Sequence, residues 1–412
     1  MIPVEDTQSW AESQFASCQL GDVRRARRLT ALAVAVGENP GASLPDQNKA
    51  WTDLKAAYRL FDRPEVTFDA VAQPHWEQTR QRSAGRYLII SDTTELDFTS
   101  HVSTEGLSPL GRGTTCGMLL HNALMVTADK NEIVGLAGQI IYHRKRAPKK
   151  ENLSRRMKRP RESELWGDLV DKIGAPDDGV EYVHIFDRGG DNFEAFCHMR
   201  ENNTQWVVRG SRLNRKVIDQ YGESVPLGEA IKKMPTVGTY ELSQRTRQKK
   251  KARVARIEVR TGRVSFSRPR FFSEYVRQRS FTTIEMNIVW VRQTNPRKGE
   301  KPIEWVLLTS LPVASFNAAW KIIEYYEARW LIEEFHKSLK TGCSVEARQL
   351  QHASRLKPLI GLLSVAAVRL IQLKTPCFLS LEIGALGLVG FFGFREYFSN
   401  WEMHFSRLRL HH

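Results

Sequence analysis

The sequence predicts an α/β protein headed by a small helical region, and three observations predict it. From about residue 85, short apolar runs such as Tyr87-Leu88-Ile89-Ile90 and Val180–Phe186 alternate with helical stretches, the pattern of a sheet covered by helices. Before that point the periodicity is helical, with Leu29, Leu32, Ala33 and Val36 on one apolar stripe. The chain is also long and basic: 412 residues, with 61 Lys+Arg against 46 Asp+Glu for a formal charge of +15. That length accommodates roughly two or three domains with a sizeable core. The charge favours a polyanionic partner, of which nucleic acid is the commonest.

Other features exclude classes. Cys18, Cys116, Cys197, Cys343 and Cys377 are odd in number, scattered and never arranged as CxxC. Neither a disulfide framework nor a zinc knuckle is expected, and a reducing compartment is. The N-terminal MIPVEDTQSW is acidic and has no apolar stretch, so it does not read as a secretory signal. Cys377 to Phe394 is apolar apart from Glu382 but rich in glycine; it reads as an unusual tail, not a membrane span.

The elements follow in order. Gly21-Asp22 marks a helix start, and Arg24, Arg25, Arg27 and Arg28 fill its first turns. A second helix is expected from about Gln47 to Asp62, carrying Trp51, Leu54, Tyr58 and Phe61. The arginines read either as a solvated face or as phosphate contacts of a helical DNA-binding domain. Tyr87–Ile90 is expected to be a buried strand ending at Ser91-Asp92-Thr93-Thr94. Leu124–Val126 and Val134–Ile141 follow as strands, with a turn at Asp129-Lys130-Asn131 between them. Val180–Phe186 ends in Asp187-Arg188-Gly189-Gly190-Asp191, and Trp206-Val207-Val208 and Trp305–Leu308 are later strands. The polar stretch from about 212 to 304, with a basic turn at Arg245–Arg256, reads as a β-rich insertion. His143–Arg161 holds ten Lys and Arg against Glu151 alone, a block expected to repel itself and stay mobile unless a polyanion orders it.

The segment KIIEYYEARWLIEEFHKSLK, residues 321–340, carries the most chemistry. On a continuous helix at about 100° per residue, Tyr326, Arg329, Glu333, Lys337 and Lys340 share an arc of roughly 80°. Ala328, Leu331, Ile332, Phe335 and Leu339 take the opposite side. An i,i+4 ion-pair face explains any two of these polar residues, but not why Trp330 projects from the same side. Asp92 and Asp187, placed at strand ends, suit either helix or turn caps or oxygen ligands for a divalent ion. Asp191 reads as a cap.

Tyr326-x2-Arg329-x3-Glu333-x6-Lys340 reproduces the Y-R-E-K signature of insertion-sequence-4-type DDE transposases. The words RWLIEEFHKSLKTG, SDTTELDF and FDRGGD resemble the motifs around that family's acidic residues. LGDVRRARRL, KAAYRLFD and SELW resemble its kanamycin-transposon branch. The likeness runs from the N-terminus to about Leu373. It implies an RNase H-like catalytic core over 71–373, preceded by a helical DNA-binding domain over 1–70 and interrupted by the β-rich insertion at about 212–304. It also implies that Asp92, Asp187 and Glu333 hold two magnesium ions, with manganese as a substitute. Arg329, Lys340 and Tyr326 would contact the DNA backbone, as would Lys337 on the same arc, with Arg209 also near the DNA. Trp305 would stack on a base flipped out during hairpin formation, or else it is simply a core strand residue. The implied partners are transposon-end DNA, target DNA and a second copy of the chain, in the cytoplasm of a bacterium, at the nucleoid, with no membrane. Residues 374–412 depart from the family's C-terminal dimerisation region. A truncated, transposition-deficient DNA-binding copy or repressor is therefore an alternative reading, and a stand-alone RNase H-like nuclease is a third.

Overall fold

A computed structural model describes residues 6–111, 113–145, 148, 150–244 and 253–383, with side chains left aside for 244 and 375–383. The basic turn at 245–252, Arg146, Lys149 and the tail from 384 lie outside the described residues. The chain divides into two compact units, the first built on residues up to Val183 and from Ala328 to Thr375, the second on His184–Glu327.

The first unit opens with α1 (Thr7–Phe15) and α2 (Val23–Glu38). Asp22 caps α2 by accepting from the Arg24 amide at 2.8 Å, which satisfies one of the amides a helix start leaves without an intrahelical partner. Leu29, Leu32, Ala33 and Val36 are all buried. The second predicted helix is two elements. A turn at Leu44–Gln47 stops where the Asn48 side chain donates to Leu44 O at 2.9 Å, and α3 starts afresh at Trp51 and runs to Phe61. Trp51 is 69% exposed, so it is not part of the apolar face; Leu54, Ala57, Leu60 and Phe61 are.

Next, α4 (Phe68–Arg80) packs on the sheet. His75, on α4, joins three elements. Its Nδ1 lies 2.6 Å from Gln14 Oε1 on α1, and its Nε2 accepts from the Leu136 amide at 3.0 Å.

The sheet of this unit has β1 (Gly85–Asp97), β2 (Cys116–Thr127) and β3 (Ile133–Tyr142), all antiparallel. β1 does not end at Ser91. Its ladder with β2 continues to Asp97↔Gly117, because β2 supplies backbone partners along its whole length. Asp92 therefore sits in mid-strand, which corrects the expected strand end. The turn between β2 and β3 places Asn131 at φ 57°, a left-handed conformation that Asn tolerates. Three arginines of the charge run at 143–161 pair with carboxylates, most of them outside it. Arg144 pairs with Glu95 and Glu162, Arg159 with Glu151, and Arg161 with Glu164. α5 (Leu165–Ile173) then packs its apolar side on β3, and β4 (Val180–Phe186) follows with the expected bounds.

In the second unit α6 (Phe193–Glu201) precedes β5 (Gln205–Arg209) and α7 (Leu227–Lys233). Four longer strands follow: β6 (Thr236–Gln244), β7 (Arg253–Ser267), β8 (Thr283–Gln293) and β9 (Glu304–Thr309). They pair antiparallel in the order β5-β9-β8-β7-β6. α8 (Phe316–Glu327) packs on them. Gly238 lets the Phe316 ring approach β6, since a Cβ there would lie 2.3 Å from Phe316 Cδ2.

The chain then returns to the first unit. Residues 321–340 are not one continuous helix. After α8 come a 3-10 turn at Ala328–Trp330, α9 (Leu331–Lys337) and a π-turn at Ser338–Gly342. A 3-10 turn advances about 120° per residue against about 100° in an α-helix, so the polar arc drawn for a uniform helix is widened, although Arg329 still meets Glu333 and Asp92 and Lys340 still meets Glu95.

Beyond it, buried Arg348 donates to Pro40 O, Ala42 O and Cys343 O, tying this segment to the chain that follows α2. α10 (Ala353–Ile383) closes the unit. Its stretch Ala353–Lys374 has the length and mean hydropathy, 1.6, of a membrane span, but 72% of it is buried, as in a core helix.

Candidate active site

Asp92 faces Asn122 across β1 and β2. Its Oδ1 accepts from the Thr93 amide at 2.7 Å, and its Oδ2 accepts from Arg329 Nη1 at 3.0 Å. The same nitrogen of Arg329 lies 3.4 Å from Glu333 Oε1, one turn along. One guanidinium thus lies between two carboxylates that come from positions far apart in the sequence. Asp92 and Arg329 are largely covered, with side chains 18% and 21% exposed, while Glu333 is 39% exposed. Two partly desolvated carboxylates held this close repel each other, and Arg329 offsets that repulsion.

Lys340, on the π-turn, donates to Glu95 O at 2.6 Å and pairs with Glu346 at 3.1 Å. Lys337 and Trp330 are exposed.

In the second unit, Asp187 follows the last residue of β4 and accepts from the Gly189 amide at 2.7 Å, capping a 3-10 turn at Arg188–Gly190. Asp191 is not the cap of the next helix; Asn192 is. Asp191 is 2% exposed, pairs with Arg215 at 2.6 Å and accepts from the Ser211 amide and hydroxyl. It is a tie to the 211–215 segment because its carboxylate points into that loop.

Burial bears on two of the expected DNA contacts. Tyr326 is 5% exposed and Trp305 is 7% exposed, and their rings meet edge-on at 5.2 Å. Trp305 is thus a core strand residue in this structure, with its face covered, and Tyr326 is not on a solvent-facing arc. Arg209 ends β5 with its guanidinium 3.4 Å from Glu304 O. On α2, Arg24 pairs with Asp22, Arg25 with Glu65 and Arg28 with Asp53, while Arg27 is exposed.

The carboxylate oxygens around Arg329 suit a hard divalent ion. Among the described residues no group of three or more His, Cys, Asp or Glu is arranged to hold a metal ion. The pair Asp92–Glu333 is the part of the expected set that the first unit brings together.

Sequence reasoning missed the polar residues beneath this pair: Asn122, Gln139 and His336, all buried. The signal was there in His121-Asn122, two polar residues inside the otherwise apolar run Met118–Val126.

A helical region ahead of an α/β core, on a chain with 61 Lys+Arg against 46 Asp+Glu, is the make-up of a protein that handles a polyanion. The sequence matches two family models, the transposase DNA-binding family over residues 7–66 and the transposase DDE domain over residues 158–368. The second match spans more than half of the chain, and the chain belongs to the DDE transposase family. It is a DNA transposase, an enzyme that uses divalent metal to cut and join DNA, with the α/β, RNase H-like class of fold behind a helical DNA-binding region. Asp187 and Glu333 lie inside the DDE match and Asp92 lies ahead of it.

Proposed function

We propose that Asp92, Asp187 and Glu333 are the acidic triad of this transposase, and that magnesium is its ion. The observation that carries the reading is the convergence of Asp92 and Glu333 on one Arg329 nitrogen. The three carboxylates would hold two magnesium ions, for which manganese substitutes, and bound there the ions supply a nucleophile at neutral pH and stabilise the leaving oxygen. Asp92 is held by rigid strand, Asp187 by its turn and Glu333 by a short helix. Arg329, now held by Asp92 and Glu333, would be the cation nearest to a scissile phosphate bound at these carboxylates. Lys337, Lys340 and Arg209 add backbone contacts.

The reaction sequence fits the insertion-sequence-4-type, kanamycin-transposon branch. Water attacks phosphorus at the element end and the P–O3′ bond breaks, leaving a 3′-hydroxyl. That hydroxyl attacks the opposite strand and forms a hairpin, with the second strand's 3′-oxygen leaving. Hydrolysis reopens the hairpin, and the freed 3′-hydroxyl attacks a target phosphodiester, whose 3′-oxygen leaves. Each step is an in-line displacement at phosphorus, so no covalent protein intermediate is needed. Two copies of the chain, each holding one end, would act together at the bacterial nucleoid. Residues 1–70 serve end recognition, 71–373 catalysis.

Alanine at Asp92, Asp187 or Glu333 should abolish magnesium-dependent nicking of a duplex carrying the element end while leaving end binding largely intact. Wild-type nicking by Glu333→Ala protein would defeat the assignment.

A further inference from the structure

We propose that Asn122 is a positioning residue for this reaction, a single amide that sets the helix carrying Glu333 against the strand carrying Asp92. The inference rests on the reading that Asp92 and Glu333 work together, and it adds what holds them in register.

The argument begins with the ladder. Asp92 on β1 faces Asn122 on β2, and Asn122 faces Gln139 on β3. Cross-strand partners project from the same side of a sheet, so the three form a polar row on one face. Asn122 and Gln139 are 0% exposed. Polar side chains buried this deeply are destabilising unless bonded; Asn122 is bonded through both its oxygen and its nitrogen, whereas Gln139 is bonded through its nitrogen and its Oε1 has no hydrogen-bond partner among the described residues. Gln139 Nε2 donates to Asn122 Oδ1 at 2.6 Å. Asn122 Nδ2 donates to Leu120 O at 3.1 Å and to His336 Nε2 at 3.0 Å. Both amide protons of Asn122 are used, and its oxygen is fixed from the other side.

His336 stands on α9, three residues after Glu333. At about 100° per residue, three steps leave the two side chains about 60° apart on the helix surface, so fixing one fixes the direction of the other. This matters because α9 has only 7 residues, with a 3-10 turn before it and a π-turn after it. A helix of two turns has little rigidity of its own, and apolar packing by Ile332 and Phe335 resists separation more than rotation. A hydrogen bond is directional where packing is not. Burial also pushes the His336 ring down to about 3, with Lys340, His121 and Arg329 nearby, so Nε2 is free to accept. Asn122 is therefore both the cross-strand neighbour of Asp92 and the hydrogen-bond partner of the Glu333 helix.

The test uses the full-length protein and a duplex containing the element end. Asn122→Leu and His336→Leu both remove the bond between the two residues, Asn122→Leu also removing those to Leu120 and Gln139, while His336→Gln keeps an acceptor. Each leucine variant should lower the nicking rate by about 10- to 100-fold and raise the magnesium concentration needed for half-maximal nicking, as outer partners of metal-holding groups do. End-DNA Kd should stay within about twofold, and His336→Gln should recover most of the rate. The Asn122→Leu/His336→Leu double variant should be no worse than the worse single, because both remove the bond between the two residues.

Multiplying losses in the double variant would overturn the proposal. So would wild-type magnesium dependence in Asn122→Leu, provided Asp92→Ala and Glu333→Ala are inactive. If Asn122→Leu does not fold, the comparison of His336→Gln with His336→Leu decides, and equal losses in the two overturn it. Active Asp92→Ala or Glu333→Ala protein would instead remove the reading on which the inference rests.

Discussion

Arg329 Nη1 donates to Asp92 Oδ2 at 3.0 Å across 237 positions of sequence. The same nitrogen reaches Glu333, so a positive charge already occupies the space between the two carboxylates. A divalent ion entering that space competes with the guanidinium for the same oxygens. Arg329→Gln protein should therefore bind magnesium more tightly in the absence of DNA, by about tenfold, equivalent to about 1.4 kcal/mol and within the worth of a hydrogen bond to a charged group. Melting temperature measured over a magnesium chloride titration reads this directly. The same variant should nick DNA far more slowly, since the phosphate contact is lost. A magnesium response no stronger than wild type would show that Arg329 does not guard the carboxylates.

Asp191 and Asp187 separate by role in the second unit. Asp191 is buried and paired with Arg215 at 2.6 Å. Removing one partner of such a pair leaves a buried charge uncompensated and costs roughly 3–5 kcal/mol. Asp191→Ala should lower the denaturant midpoint strongly. Asp187→Asn, at a half-exposed turn, should leave the midpoint within error and abolish nicking. A stable Asp191→Ala protein would show that the pair with Arg215 does not hold this loop.

These contrasts show which parts of the molecule its residues announce. The α2 stripe and the β4 run were legible because their periodicity alone decides which side is buried. The far half of β1 was not, since Asp92-Thr93-Thr94-Glu95 looks like a polar turn until β2 is laid beside it. Residues 321–340 read as helix, but the 3-10 and π windings leave no mark on composition, so the polar arc was drawn for a uniform winding that the segment does not have. Tyr326 and Trp305 bury each other, and no local pattern reveals a contact between segments 21 positions apart. The arginine bridge was half legible. The i,i+4 spacing of Arg329 and Glu333 is local, whereas the reach to Asp92 depends on the strand being where the sheet puts it.

Among the described residues four buried histidines, His75, His121, His184 and His336, make stability depend on pH, and the first two illustrate it. Burial pushes His75 down to about 4 and His121 down to about 3, against an ordinary value of 6.5. Both rings stay neutral in the folded protein while the unfolded chain takes up protons below pH 6.5. The unfolded state then binds more protons, so stability rises with pH in that window and is lost as pH falls from about 6.5 toward 4. Each ring contributes about 1.4 kcal/mol per pH unit well inside the window. Denaturant midpoints should drop between pH 7.5 and 5.5. His75→Gln protein should be weaker at pH 7.5, having lost the Gln14–His75–Leu136 link, yet show a shallower pH slope. An unchanged slope would remove His75 as a cause.

Arg27 differs from its neighbours on α2. Arg24, Arg25 and Arg28 are engaged with Asp22, Glu65 and Asp53, respectively, so part of their charge is already neutralised within the helical layer. Arg27 projects from the exposed face of the same helix, within the matched DNA-binding region. If that face meets the phosphate backbone, Arg27→Ala should weaken binding of end DNA and of unrelated duplex alike. It should also reduce the salt slope of log K by about 1, the signature of one lost phosphate contact. Arg28→Ala should change the slope less and melting temperature more, because its guanidinium holds α2 to α3 through Asp53. Fluorescence anisotropy over a sodium chloride series distinguishes the two. Equal slopes in wild type and Arg27→Ala would place the DNA on another face of the helical region.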